Sequence, residues 1–180
     1  MRAMKGRELL IGVSGGIAAF KTAALVSRLI QAGAGVTVIM TRSAAKLVTP
    51  KTFQALTGRS VYTQVFGPGP HPHIELAQKA ELLCIAPATA NIIAKAALGL
   101  ADDLLSTVLL SFDGPVLMAP AMNTLMWQKP AVQRNVAQLR ADGVTLIDPE
   151  SGYLSCGAIG AGRMAEPERI FQIILDKLNE

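Results

Sequence analysis

Short apolar runs of strand length alternate with stretches of helical spacing almost throughout this chain, and that alternation limits its fold more than any other feature. The runs are ELLIGV (8–13), GVTVIM (35–40), ELLCIAP (81–87), PVLMAP (115–120) and VTLID (144–148). Between the first two, IAAFKTAALVSRLIQAG sets Ile17, Phe20, Ala24, Leu25 and Leu29 on one helical face, and Gly33 follows as a stop. NIIAKAALGL, DDLLSTVLLSF and PAVQRNVAQLRADG read as further helices. EPERIFQIILDKL closes the chain, with Pro167 in its first turn and Ile170, Ile174 and Leu178 in register. Strand, helix, strand in repetition requires right-handed crossovers, so the predicted fold is α/β, a three-layer doubly wound parallel sheet.

The 180 residues suffice for one substantial core, and no stretch reads as a boundary, so a single domain over 1–180 is expected. About half the residues are apolar but only 4% are aromatic, which leaves Ala, Val, Leu and Ile to build that core. The net charge of +4 comes from scattered Lys and Arg without a basic run, which argues against nucleic acid as a partner. Two cysteines, Cys84 and Cys156, form neither a disulfide framework nor a metal-ligand cluster, so no metal is expected. MRAMKGRELLIGV lacks a signal-peptide core, and no apolar run approaches the roughly 20 residues of a membrane span. A soluble cytoplasmic protein with no membrane association is the expectation.

In an open parallel sheet, ligands bind beyond the carboxyl ends of the strands. The residues there are Ser14-Gly15-Gly16, Thr41-Arg42-Ser43, Pro87 to Asn91, and Pro120 to Asn123. Small residues, hydroxyls and carboxamides recur at these ends. GVSGGIAAFK places glycines at a strand-to-helix turn, where backbone N–H groups and the helix dipole can hold a phosphate. Many such turns merely let a helix pack on a strand, but strand-end glycines often line sites in this fold class. It lacks the Gly-Lys-Ser/Thr ending of a Walker A loop, and it is not G-x-G-x-x-G. Thr41, Arg42 and Ser43 stand where a dinucleotide site needs an acidic residue for the ribose, so a mononucleotide such as FMN suits these groups better than NAD.

Two stretches stand apart from the alternation. VFGPGPHPHIEL (65–76) reads as a loop ending at a helix start near His73. SGYLSCGAIGAGRM (151–164) surrounds Cys156 with four glycines and reads as a flexible flap, whereas Cys84 lies inside an apolar strand as a small core residue.

Taken in order, GVSGGIAAFK, HIELAQKAELLCIAPATANIIAKAALGLADDLLST, PAMNTLMW and SCGAIGAGRMAEP resemble the flavin-dependent cysteine decarboxylases, over essentially the whole chain. The resemblance implies a Rossmann-like flavoprotein fold, bound FMN, and a homo-oligomer built from trimers with the flavin near the subunit interface. It implies decarboxylation of 4'-phosphopantothenoylcysteine to 4'-phosphopantetheine in coenzyme A biosynthesis, through a thioaldehyde and an enethiolate. It also implies a synthetase, as a fused domain or a separate partner, that makes the substrate.

The same resemblance assigns roles. His73 in HIEL would be the acid–base group, since imidazole exchanges protons near neutral pH, with His71 a solvated neighbour. Cys156 would protonate the enethiolate. Asn123, Met126 and Ser155 would bind substrate. Gly15, Gly16, Ile17, Thr41 and Ser43 would hold phosphate and ribityl, and Thr89, Ala90, Asn91 and Ala121 would contact the flavin. Ala158 replaces an aspartate common after Cys-Gly, and SCG replaces the commoner ACG. Rival readings are a peptidyl-cysteine decarboxylase of lantibiotic type, a flavin prenyltransferase and a non-catalytic flavin-binding regulatory subunit. The last of these loses a catalytic group, whereas this chain keeps His73, Asn123 and Cys156.

Overall fold

The computed structural model describes residues 4–66, 71–153, 157 and 159–180. Its elements run β1 (Glu8–Val13), α1 (Ala19–Gln31), β2 (Gly35–Met40), α2 (Pro50–Thr57), β3 (Val61–Tyr62), α3 (Pro72–Lys79), β4 (Leu82–Ala88), α4 (Ala90–Leu98) and α5 (Leu104–Ser111). They continue with β5 (Val116–Pro120), α6 (Thr124–Gln128), α7 (Pro130–Ala141), β6 (Thr145–Leu146), β7 (Glu150–Tyr153), β8 (Ile159–Arg163) and α8 (Pro167–Leu178). Six strands form one parallel sheet in the order β3-β2-β1-β4-β5-β6. That is the doubly wound order, in which the chain reverses its winding direction between β1 and β4.

Alternate residues of each strand enter opposite cores. Leu9, Ile11 and Val13 of β1, Val36, Val38 and Met40 of β2, and Leu82, Cys84 and Ala86 of β4 pack with Leu25 and Leu29 of α1, Phe53 of α2, and Ile170 and Ile174 of α8. Leu10, Ile39, Leu83, Ile85 and Met118 face the other way, against Leu76 of α3, Ile92 and Ile93 of α4, Leu105 and Val108 of α5, and Val136 and Leu139 of α7. Burial on both faces is why these strands read as continuous apolar runs rather than as an alternation. The three-layer expectation therefore holds.

Several boundaries differ from the sequence reading. β3 is a two-residue edge strand that no apolar run announced, and α2 adds a helix before it. The run at 144–148 narrows to β6, Thr145–Leu146. Most consequentially, the glycine-rich 151–164 stretch is not loop throughout. β7 and β8, at its two ends, pair antiparallel as a separate two-stranded ribbon. Ser155, Cys156 and Ala158 lie outside the described residues. Among the described residues, no helix is long and apolar enough to cross a membrane, and no cluster of His, Cys, Asp or Glu could hold a metal ion.

Candidate active site

A cavity of about 910 Å³ opens at the carboxyl ends of β1, β2, β4 and β5, across the point where the winding reverses. It is at the upper end of the ~300–1,000 Å³ usual for small-molecule sites, which leaves room for a cofactor and a small substrate together. Of the residues expected to bind cofactor or substrate, Gly15, Gly16, Ile17, Thr41, Ser43, Thr89, Ala90, Asn91, Ala121, Asn123 and Met126 all line it.

The glycine turn owes its shape to crowding. A Cβ on Gly15 would stand 2.4 Å from the Ser43 Cβ, because the β1–α1 turn is pressed against the end of β2. A Cβ on Gly16 would meet Thr89 Cγ2 at 3.3 Å on the other side. The helix behind this turn, α1, has Ala18 as its N-cap residue and no side-chain cap. The N–H groups of Gly15, Ile17 and Ala18 make no backbone hydrogen bond among the described residues. An uncapped helix start facing a cavity is a cradle for an anion.

Buried Ser14 fixes one side of this cradle to the end of β4. Its Oγ donates to the Pro87 carbonyl at 2.7 Å and accepts from the Thr89 N–H at 3.0 Å. Thr89 then caps α4 by accepting from the Ile92 N–H. At the end of β2, Thr41 Oγ1 accepts from the Ala44 N–H at 3.2 Å. At the end of β5, Asn123 caps α6, its Oδ1 accepting from the Leu125 N–H at 2.8 Å, which orients the carboxamide over the cavity wall. The ribbon reaches the same segment, since the Met122 N–H donates to the Gly162 carbonyl at 2.9 Å.

His73 is not on this wall. It sits in the first turn of α3, half-buried, with its Nδ1 buried and without a hydrogen-bond partner among the described residues, and its ring lies 6.3 Å from that of His71. Because α3 runs back from β3 to β4, this turn stands at the same end of the sheet as the cavity. Its separation from the cavity within one chain is a departure from the simplest reading of the motif. Cys84 is fully buried, and burial pushes its thiol up to about 12, so it is a core residue as its strand suggested.

Lys21, Lys95, Arg163 and Tyr153 are among the wall residues that escaped the sequence reading as site residues. Lys21 is four residues beyond Ile17, one helical turn, and that spacing could have placed it on the cavity side. Lys95 is likewise four beyond Asn91. Its ammonium pairs with Asp102 at 2.5 Å and Asp103 at 2.6 Å, and the pairing holds the Asp102 carboxyl below its usual range. Arg163 and Tyr153 come from the ribbon, whose pairing no periodicity signals.

Known proteins match this geometry over its whole extent. A sequence model of the family described as Flavoprotein matches residues 1–179. The coenzyme A biosynthesis bifunctional protein CoaBC of Bacillus subtilis (strain 168) is 51% identical over 173 residues, which cover 94% of this chain and 43% of that protein. The protein of the same name from Haemophilus influenzae (strain ATCC 51907 / DSM 11121 / KW20 / Rd) is 43% identical, with 96% of this chain and 44% of that protein covered. This chain thus spans less than half the length of these relatives. Among solved structures, a PPC decarboxylase mutant complexed with pantothenoylaminoethenethiol superposes with a TM-score of 0.87 at 31% identity, covering 97% of this chain and 99% of that one. The FMN-dependent cysteine decarboxylase SpaF gives 0.86 at 33% identity, with both chains fully covered. With the fold, the strand-end cavity and a family pattern that runs from end to end, this chain belongs to the Flavoprotein family.

Proposed function

We propose that the chain is an FMN-dependent decarboxylase acting on 4'-phosphopantothenoylcysteine and releasing 4'-phosphopantetheine and carbon dioxide. The observation that carries this reading is the cavity itself, which sets an uncapped, glycine-walled anion cradle at one end and the Asn123 carboxamide at the other. Relatives named for coenzyme A biosynthesis and for PPC decarboxylase support the substrate class.

The residues fit a flavin mononucleotide. Its phosphate would lie on the N–H groups of Gly15, Ile17 and Ala18 with the Ser43 hydroxyl, and its ring would meet Thr89, Ala90, Asn91 and Ala121. When bound, FMN supplies a reversible hydride acceptor, so that the thiol-bearing carbon of the substrate can be raised to a thioaldehyde and later restored. The chain's own groups do the rest. The Asn123 carboxamide donates to the carboxylate and aligns it for departure as carbon dioxide. The thiocarbonyl sulfur takes up the electron pair left behind, as an enethiolate. Cys156 is the proton donor to that enethiolate, and Tyr153, Gly162 and Arg163 of the β7–β8 ribbon line the wall.

His73 reaches a cavity by assembly. Ile17, Phe20, Met126 and Tyr153 line the cavity yet are 47–70% exposed, an apolar rim left open to water. A second copy that covered this rim and brought the first turn of its α3 would supply the imidazole in a homo-oligomer built from trimers. A phosphopantothenoylcysteine synthetase, fused or separate, would provide the substrate.

The test compares substrates on FMN-loaded protein. Carbon dioxide released from phosphopantothenoylcysteine and not from peptides ending in cysteine is the expected result; the reverse preference would assign the peptidyl reaction. A chain that stays colourless after incubation with FMN would refute the flavin assignment.

A further inference from the structure

Among the described residues that line the cavity, a single one carries a carboxylate, Asp103. The rest of the wall favours anions, through the uncapped glycine turn and the cations Lys21, Arg42, Lys95 and Arg163. A carboxylate in such a cavity requires a reason. Asp103 is the N-cap of α5, its Oδ1 accepting from the Ser106 N–H at 2.9 Å, but Asn or Ser would cap that helix without a charge.

The charge is matched to Lys95. The Lys95 ammonium donates to Asp103 Oδ2 at 2.6 Å, and the two side chains are only 14% and 30% exposed. Asp102 approaches the same ammonium at 2.5 Å, but its side chain is 68% exposed and lies off the wall. Burial works against the Lys95 charge, yet the hydrogen bonds to Asp102 and Asp103 outweigh it and raise the Lys95 pKa. An ammonium and a carboxylate, both ionised and held in place, therefore stand on the wall together, while solvent screens the third charge. α4 carries Lys95 one turn beyond Asn91, on the side of the cavity assigned above to the flavin ring.

The proposed reaction makes two opposite demands at that ring. The thiol-bearing carbon gives up a hydride and the thiol gives up a proton. After carbon dioxide leaves, Cys156 supplies a proton, the same hydride returns to carbon, and the thiolate so formed regains the proton first lost. Oxidation and reduction cancel, so the hydride must be both easily taken and easily returned. A hydride brings one negative charge to the ring. An uncompensated lysine would hold that charge and oppose the return, whereas an uncompensated carboxylate would oppose the uptake. A matched pair does neither.

We propose that Lys95 and Asp103 form a charge-balanced pair that sets the reduction potential of the bound flavin, Asp103 offsetting the ammonium of Lys95. This role rests on the decarboxylase reading, and it explains a carboxylate in a cavity otherwise built for anions.

The experiment measures the midpoint potential of FMN bound to the purified protein, by reduction against a reference dye. Lys95→Met leaves Asp103 uncompensated and should favour oxidised over reduced FMN by about tenfold, which lowers the potential by about 30 mV. Asp103→Asn keeps the helix cap and should raise the potential by a similar amount. The double variant restores a neutral wall and should return the ratio to within about twofold of wild type. Asp102→Asn changes only a screened charge and should also stay within about twofold. Opposite signs in the single variants identify charge, because loss of a strut between α4 and α5 would move both the same way. Shifts of one sign in both, or no shift in either, would overturn the tuning role and leave the pair a strut. A protein that binds no FMN would defeat the flavin assignment itself, and this role with it.

Discussion

At Gly15 a single methyl group is enough to disturb the cavity, since its carbon would stand 2.4 Å from the Ser43 Cβ. Gly15→Ala is expected to push the end of β2 away from the β1–α1 turn. Flavin fluorescence titration should then show FMN affinity reduced by about tenfold or more, with the far-UV spectrum unchanged, in line with the roughly 1–3 kcal/mol that overpacking costs. Cys84 yields a prediction in pH. Burial raises its thiol from 9.0 to about 12, so its contribution to stability is complete below pH 9 and is lost as pH rises toward 12, where the unfolded chain ionises first. Between pH 9 and 10.5 the unfolding free energy of wild type should fall relative to Cys84→Ala by about 1.7 kcal/mol in all, the slope steepening toward about 1.4 kcal/mol per pH unit, read from urea titrations. Parallel curves for the two proteins would show that the thiol is not sequestered. The glycine turn was legible because residue type alone announces a close approach. Ser14 and Lys21 were not, because a serine or a lysine acquires its meaning only from what stands opposite it, here Pro87, Thr89 and Glu166.

Among the elements, the ribbon β7–β8 shows how a strand can form without an apolar signature. Its sequences, ESGY and IGAGR, bury almost no side chain, and the pairing gains support from the backbone of Met122 instead. Gly162 makes that approach possible, with φ of +125° and a Cβ position 2.3 Å from the Met122 carbonyl oxygen. Gly162→Ala adds strain on the order of 1–3 kcal/mol at this point. The expected consequences are faster hydrogen exchange at the Met122 amide and a fall in kcat/KM, while FMN affinity persists because the glycine turn is remote in sequence and untouched. Unchanged exchange at Met122 would show that the ribbon is held elsewhere. The central strands were readable for the opposite reason. β1, β2, β4 and β5 are buried on both faces, so nearly every residue in them is selected for apolarity. β3 is two half-buried residues at a sheet edge, too short for any pattern.

For the whole molecule, the position of His73 is the feature that one chain does not explain. The imidazole stands at the carboxyl end of the sheet with an Nδ1 that has no partner among the described residues, outside the cavity that needs an acid–base group, and that cavity has an apolar rim. If each site joins Asn123 of one copy to His73 of a neighbour, two inactive variants can rescue each other. His73→Ala and Asn123→Ala, co-expressed with different tags and purified through both, should regain decarboxylation. A random mixture in a cyclic assembly gives about a quarter of the sites an intact pair, since each site draws its two residues from different copies. Each variant purified alone should stay at background and keep its FMN. Sites completed within one chain would instead remain dead in every mixture, because each copy lacks one of the two groups. A rim residue tests the same assembly physically. Phe20→Asp places a charge on an exposed apolar surface, and it should shift the sedimentation coefficient toward the monomer while the monomer retains its fold. Loss of activity in that monomer, recovered by no addition of FMN, would follow from the missing neighbour's imidazole rather than from a damaged cofactor cradle.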